Sequence, residues 1–210
     1  MIVSMKNIKN QFPLILLIIY LLEFIVLAVK PHNRLIWCTE NFFSLTIVTV
    51  LVIFYLKNIK FSNVAYSLIA IYLYCHTIGG HYSFARVPFE FVTELFNFER
   101  NNFDRMCHFM VGFFAYPAIE YYEKNQLIRG RGLAIFLVIA AIFGVAGVFE
   151  IVEWLYAEVA APEAGNDFLG SQGDQWDAQK DILCDGMGAV FSCLLYSLIN
   201  RRQNKNTIES

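Results

Sequence analysis

The chain has 210 residues, of which 57% are hydrophobic and only 16% charged, with a net charge of −2 and a mean hydropathy of +0.49. That balance excludes an ordinary soluble domain. It leaves no basic footprint for nucleic acid either, because the 16 Lys and Arg residues are scattered between apolar segments. The composition points to an all-α, polytopic bundle of about six transmembrane helices, a single integral-membrane domain over residues 1–210 with the lipid bilayer as its partner.

Apolar runs approaching the roughly 17–25 residues needed to cross a hydrocarbon core lie near 12–29, 41–56, 63–79, 104–123, 132–156 and 177–199. The first follows the basic start "MIVSMKNIKN", which a signal peptide would also show. It continues through "YLLEFIVLAVKP", past signal length and without a clear small-x-small cleavage site, so it is read as an uncleaved span. Between the third and fourth runs, "VPFEFVTELFNFERNN" places Pro88 at a first helical position and Phe89, Val92 and Phe96 on one stripe. Such a segment either lies in the membrane interface or packs as a cover on the bundle. The polar residues 200–210 read as an unstructured cytoplasmic tail. Cys38, Cys75, Cys107, Cys184 and Cys193 have no zinc-type spacing, and most sit in apolar runs as small hydrophobes.

In a six-span arrangement ten Lys and Arg residues fall on the side of the termini and six on the other, which predicts cytoplasmic termini. The connection 155–176 has no Lys or Arg but carries Glu158, Glu163, Asp167 and Asp174, which suits the outer side. The long connections 80–103 and 155–176 then face outward together.

Four spans carry ionisable residues near that same end, and such residues inside a membrane are costly enough to suggest function. "CHTIGGHY" supplies His76 and His81. "FDRMCHF" sets Asp104 and His108 at i, i+4, "FEIVEW" sets Glu150 and Glu153 at i, i+3, and "GDQWDAQKDILCDG" repeats Asp177, Asp181 and Asp185 every fourth residue. Alternating helix directions bring all of them to the outer half, with Asp185 about 12 Å deeper than Asp177. Plainer readings exist for several: Asp174 and Asp177 as an N-cap and N3 pair, Asp104 as a first-turn acid, and each histidine as a hydrogen-bonded core residue. Glu150 and Glu153 resist such a reading because they sit where the helix dipole disfavours negative charge. Asp181 and Asp185 lie too deep to cap, and like charges at i, i+4 repel. Protonation, a salt bridge to Arg86, Arg100 or Arg105, or a bound cation would neutralise them. Carboxylates with imidazoles suit zinc, manganese or magnesium. Gly186, Gly188 and Ala189 offer small surfaces for close helix approach.

The segments "HTIGGHYSFARVPFEF", "FERNNFDRMCHF", "FEIVEW" and "LGSQGDQWDAQKDILCDGMGA" resemble the YjdF-like family of bacterial inner-membrane proteins, whose activity is unassigned. The likeness spans most of residues 76–189 and implies a multi-pass protein of the bacterial inner membrane. More distantly, the order of Asp104 with His108, Glu150 with Glu153, and Asp181 and Asp185 ahead of Gly188 resembles VanZ-like membrane proteins, with Glu153 where that pattern has an amide.

Three functions remain open. In a metal-dependent enzyme acting on a lipid or lipid-linked head group, Glu150, Glu153 and Asp181 are the expected catalytic groups. His76, His81, Asp104, His108, Asp177 and Asp185 are then the expected metal ligands. In a proton- or cation-coupled transporter the same carboxylates bind and release the cargo. In a noncatalytic protein the polar cluster fixes helix packing. No Gly-rich phosphate cradle or dinucleotide fingerprint is present.

Overall fold

The computed structural model describes residues 5–159, 165 and 169–208. Glu163 and Asp167, expected on the outer connection, lie outside the described residues. In chain order the helices are α1 (Met5–Leu27), α2 (Arg34–Leu56), α3 (Asn63–Tyr82), the short α4 (Glu90–Leu95), α5 (Phe103–Val111), α6 (Ala115–Lys124), α7 (Arg131–Val159) and α8 (Asp177–Ile208). No strand occurs among the described residues.

Three of these helices are long and apolar enough to cross a bilayer: Arg34–Leu56, Arg131–Val159 and Asp177–Asn200. Gln11–Leu27 is a shorter apolar helix. Their outward faces carry side chains that water would not tolerate in such density, among them Leu22, Ile25 and Val26 on α1 and Phe136, Val145, Val148 and Ile151 on α7.

The second helix begins at Arg34, well ahead of the expected 41. Asn33 caps it, its Oδ1 accepting from the amides of Leu35 at 2.9 Å and Ile36 at 3.2 Å. The run expected as one helix over 104–123 is broken by a 3₁₀ turn, Gly112–Phe114. Pro117 explains the break, because it has no N–H to give the carbonyl of Phe113 four residues back. The tail expected to be unstructured from residue 200 instead continues helical to Ile208, with no Gly or Pro to stop it. Phe89 stands at the cap position of α4, so Pro88 lies outside that helix. On the expected stripe Phe89 packs inward against Phe103 while Phe96 is exposed.

The helix α8 is held between α5 and α7, and α3 packs against α1, α2 and α5. A Cβ on Gly188 would overlap the carbonyl oxygen of Phe109, and one on Gly112 the backbone of Gly188 and Ala189. The two helices therefore cross backbone to backbone, a contact only glycine permits. The main core lies below this crossing and joins Ala65 and Leu68 of α3, Tyr116 and Ile119 of α6, Val138 and Ile142 of α7, and Ala189, Cys193 and Tyr196 of α8. The polar ends of α3, α5, α7 and α8 are thereby gathered at the opposite end from the termini.

Candidate functional site

A cavity of about 370 Å³ opens at that end. Its polar lining comes from Glu40 on α2, His76 on α3, Asp104 and His108 on α5, Glu153 on α7 and Asp185 on α8. The connections fold over its mouth. Asn101 donates through Nδ2 to the carbonyls of Ala85 at 3.2 Å and Val87 at 2.8 Å, and Gln172 exchanges two hydrogen bonds with the Asn101 backbone, at 3.0 and 2.8 Å. Gly170, in the left-handed region at φ +60°, lines the cavity beside Asp104. A side chain there would be strained, so the "GSQGDQWD" stretch works as a shaped cover as well as an approach to α8.

At the mouth the acids of α8 meet arginines. Arg100 pairs with Asp177 and donates to the carbonyl of Ser171 at 3.0 Å. Arg105 reaches Asp174 at 2.6 Å and Asp177 at 3.0 Å, and Lys180 completes the set on Asp174 at 2.5 Å. Asp174 Oδ1 also accepts the Trp176 amide at 3.0 Å, as a cap residue would. Lys180, that amide and Arg105 together hold the Asp174 carboxyl well below the usual carboxylate range.

One turn deeper the pattern changes. His108 Nδ1–H donates to Asp185 Oδ2 at 3.1 Å, which leaves Nε2 facing Asp104 Oδ1 at 3.8 Å and Glu150 Oε1 at 3.9 Å. These last two separations are too long for hydrogen bonds. Donor atoms of Asp104, His108 and Asp181 all lie within 4.8 Å of one another. Asp181 and Asp185 are only 3% and 1% exposed. Glu150 Oε1, Asp181 Oδ1 and Asp185 Oδ1 are buried with no hydrogen-bond partner, and the nearest cation to Asp181 is Arg105 Nε at 3.7 Å. Such groups are costly to leave unsatisfied.

The structure thus gathers Asp104, His108, Glu150, Asp181 and Asp185 into one cluster, with Glu153 on the same cavity. It places His76 on the facing wall, where Nδ1 lies 2.9 Å from Ser44 Oγ and Nε2 lies 3.4 Å from Glu40 Oε2. Asp177 is engaged at the mouth. His81 stands apart, its Nδ1–H donating to the Leu27 carbonyl at 2.6 Å and its ring against Tyr82, so it ties α3 to the end of α1.

Sequence reasoning missed Glu40. Starting the second span at 41 left it outside, whereas the helix beginning at Arg34 buries it to 3% exposure. The signal was present: Trp37, Glu40, Asn41 and Ser44 follow i, i+3, i+4, i+7 spacing, one buried helix face with three polar members.

Comparison with known proteins agrees with this membrane architecture. Residues 12–202 match the family described as "Predicted membrane protein (DUF2238)". The chain is 32% identical over 178 residues to the inner membrane protein YjdF of Escherichia coli (strain K12), covering 84% of each chain, and the resemblance read from residues 76–189 is borne out. No solved structure matches. The chain belongs to this DUF2238 family of membrane proteins.

Proposed function

We propose that this family member is a six-span protein of the bacterial inner membrane with cytoplasmic termini, whose outward cavity holds a divalent cation and acts on the head group of a lipid or lipid-linked substrate. In this arrangement α1, α2, α3, the broken α5–α6 pair, α7 and α8 are the spans. The distribution of Lys and Arg supports the orientation, and the relative in E. coli carries the name of an inner membrane protein.

The observation that carries the cation is the geometry of His108. With its proton on Nδ1, His108 donates a hydrogen bond to Asp185 and presents Nε2 to Asp104 and Glu150, within the group that includes Asp181, as a metal-binding histidine with a carboxylate behind it does. Asp185, expected from the sequence among the ligands, is assigned this orienting role instead, and Asp104, His108 and Asp181 are the ligands, with Glu150 beside them. Oxygen and nitrogen donors of this kind fit zinc, manganese or magnesium. Such a cation supplies Lewis acidity for a phosphoryl or carbonyl oxygen. Glu153, one turn from Glu150 on α7, and the Glu40–His76 pair line the same cavity, placed to take a proton from water or return one to a leaving group.

The Glu40–His76–Ser44 chain also favours a second reading, a proton-coupled carrier in which these side chains pass protons toward the buried Tyr20 and Thr77. Element-resolved metal analysis of the detergent-purified protein separates the two. The enzyme reading expects about one divalent ion per chain after gentle purification. A folded protein that holds none after zinc, manganese and magnesium are added back contradicts it and leaves the carrier.

A further inference from the structure

The cavity changes character with depth, and it does so in the same direction on α2, α3, α5 and α7. On α2 the lining runs from Glu40 to Phe43 and Ile47; on α5 and the turn after it, from Asp104 and His108 to Val111 and Phe114; on α7, from Glu153 to Phe149, Ala146 and Ile142; and on α3 Tyr72 lies below His76. At 1.5 Å per helical residue the apolar part extends about 10 Å below the acids on α2 and about 16 Å on α7. Water or a small ion needs no such floor. A molecule with a polar head and a hydrocarbon chain does.

The walls also show where it enters. The helix α2 packs along α3, and α7 packs along α6 and α8, without extended packing between α2 and α7. Across that space the rings of Phe43 and Phe149 meet edge to face with centroids 5.4 Å apart. Val145 lines the cavity and is nonetheless 62% exposed, so the wall opens sideways toward the membrane at this point. Ala146 beside it is only 4% exposed, and its small side chain leaves room at the floor.

We propose that the cavity takes one acyl chain of a phospholipid from the adjoining leaflet through a lateral portal between α2 and α7, with Phe43 and Phe149 as the gate and the head group at the carboxylate and histidine end. The inference rests on the membrane orientation and substrate class proposed above and adds the mode of binding. The head stays level with the acids while the chain points to the bilayer centre, the posture a leaflet lipid already has. It therefore enters by lateral movement and need not leave the bilayer. Edge-to-face rings separate by rotamer change without disturbing the α5–α8 crossing.

Native mass spectrometry of protein purified in mild detergent tests this, with deuterated dioleoyl phosphatidylglycerol as the added probe. The wild type should keep about one phospholipid per chain through delipidation that strips surface lipid. Ala146→Phe, which fills the floor, should lower that occupancy about tenfold, a loss of roughly 1.4 kcal/mol of binding. Phe149→Ala, which removes half of the gate, should speed exchange of bound lipid for the deuterated probe. Bound metal, counted on the same wild-type preparation, reports the cation reading separately from lipid occupancy, so failure of one is distinguished from failure of the other. Equal occupancy in folded wild type and Ala146→Phe, or a folded wild type with no retained phospholipid, overturns the proposal. If Ala146→Phe does not fold, an unchanged exchange rate in Phe149→Ala overturns it instead.

Discussion

Asp174 and Asp177 at the mouth of the cavity and Asp181 and Asp185 below them belong to one run of acids, spaced along the start of α8 within a few turns. Their surroundings differ. The upper pair is held by Arg100, Arg105 and Lys180. The lower pair faces His108, Asp104 and Glu150, with one arginine nitrogen at 3.7 Å. Arg100 comes from the connection over the mouth and Arg105 from the first turn of α5, so their guanidinium groups cover the top of the site and leave the level beneath them to carboxylates and imidazole. Residue type alone therefore does not say how an acid in a membrane protein is neutralised; its depth relative to the nearest arginine does. The upper pair is a structural clasp between the start of α8 and the chain leading into α5, and the lower pair belongs to the proposed cation site.

The largest way to break this arrangement is to push α8 away from α5, since both regions depend on that crossing. Gly188→Leu puts a side chain into the Phe109 carbonyl and should cost more than about 3 kcal/mol, read as loss of folded protein and of both properties together. Arg105→Met separates the regions. It strips the mouth of its shared guanidinium and should destabilise by about 1–3 kcal/mol in a melting experiment, while metal stoichiometry stays at the wild-type level. Asp185→Asn works from the other side. It should leave the melting temperature nearly unchanged but weaken metal affinity by about 10–100-fold, because the His108 ring loses the carboxylate that orients it.

The smallest effect is on pH dependence. Asp174 has a lowered folded pKa, so its contribution is fully present above the unfolded value of about 3.9 and is lost as pH falls through the folded value. The melting difference between wild type and Asp174→Asn should hold from pH ~7 down to ~4 and shrink below that. A difference that instead vanishes near neutral pH would mean that Asp174 is not part of the clasp.

The helical bundle and much of the site were legible in the sequence for physical reasons. Apolar runs of membrane length are hard to bury anywhere but in a bilayer, and the i, i+3 and i, i+4 spacing of Glu150 with Glu153 and Asp104 with His108 places each pair on one helix face before any contact is known. Glu40 was lost because hydropathy marks where a run becomes apolar, whereas the helix starts at the Asn33 cap, two turns before that buried acid. His81 was overcounted because a histidine one turn past His76 looks equivalent in sequence, yet its carbonyl partner Leu27 belongs to a different helix. The break at Gly112–Phe114 needed the meaning of Pro117 to be applied four residues back. The division of the α8 acids was not readable at all, because it depends on how two loops far apart in sequence fold over the cavity mouth.

The central claim is that the lower acids hold a cation and the upper acids hold arginines, and paired amide variants test it most directly. Wild type, Asp177→Asn and Asp181→Asn, purified in parallel and equilibrated with manganese, should be compared by bound-metal analysis and by melting temperature. The account predicts about one ion per chain in wild type and in Asp177→Asn, with the latter melting lower, and a large loss of bound metal in Asp181→Asn with little loss of stability. Metal lost equally from both variants, or a stability loss in Asp181→Asn with metal unchanged, would contradict it.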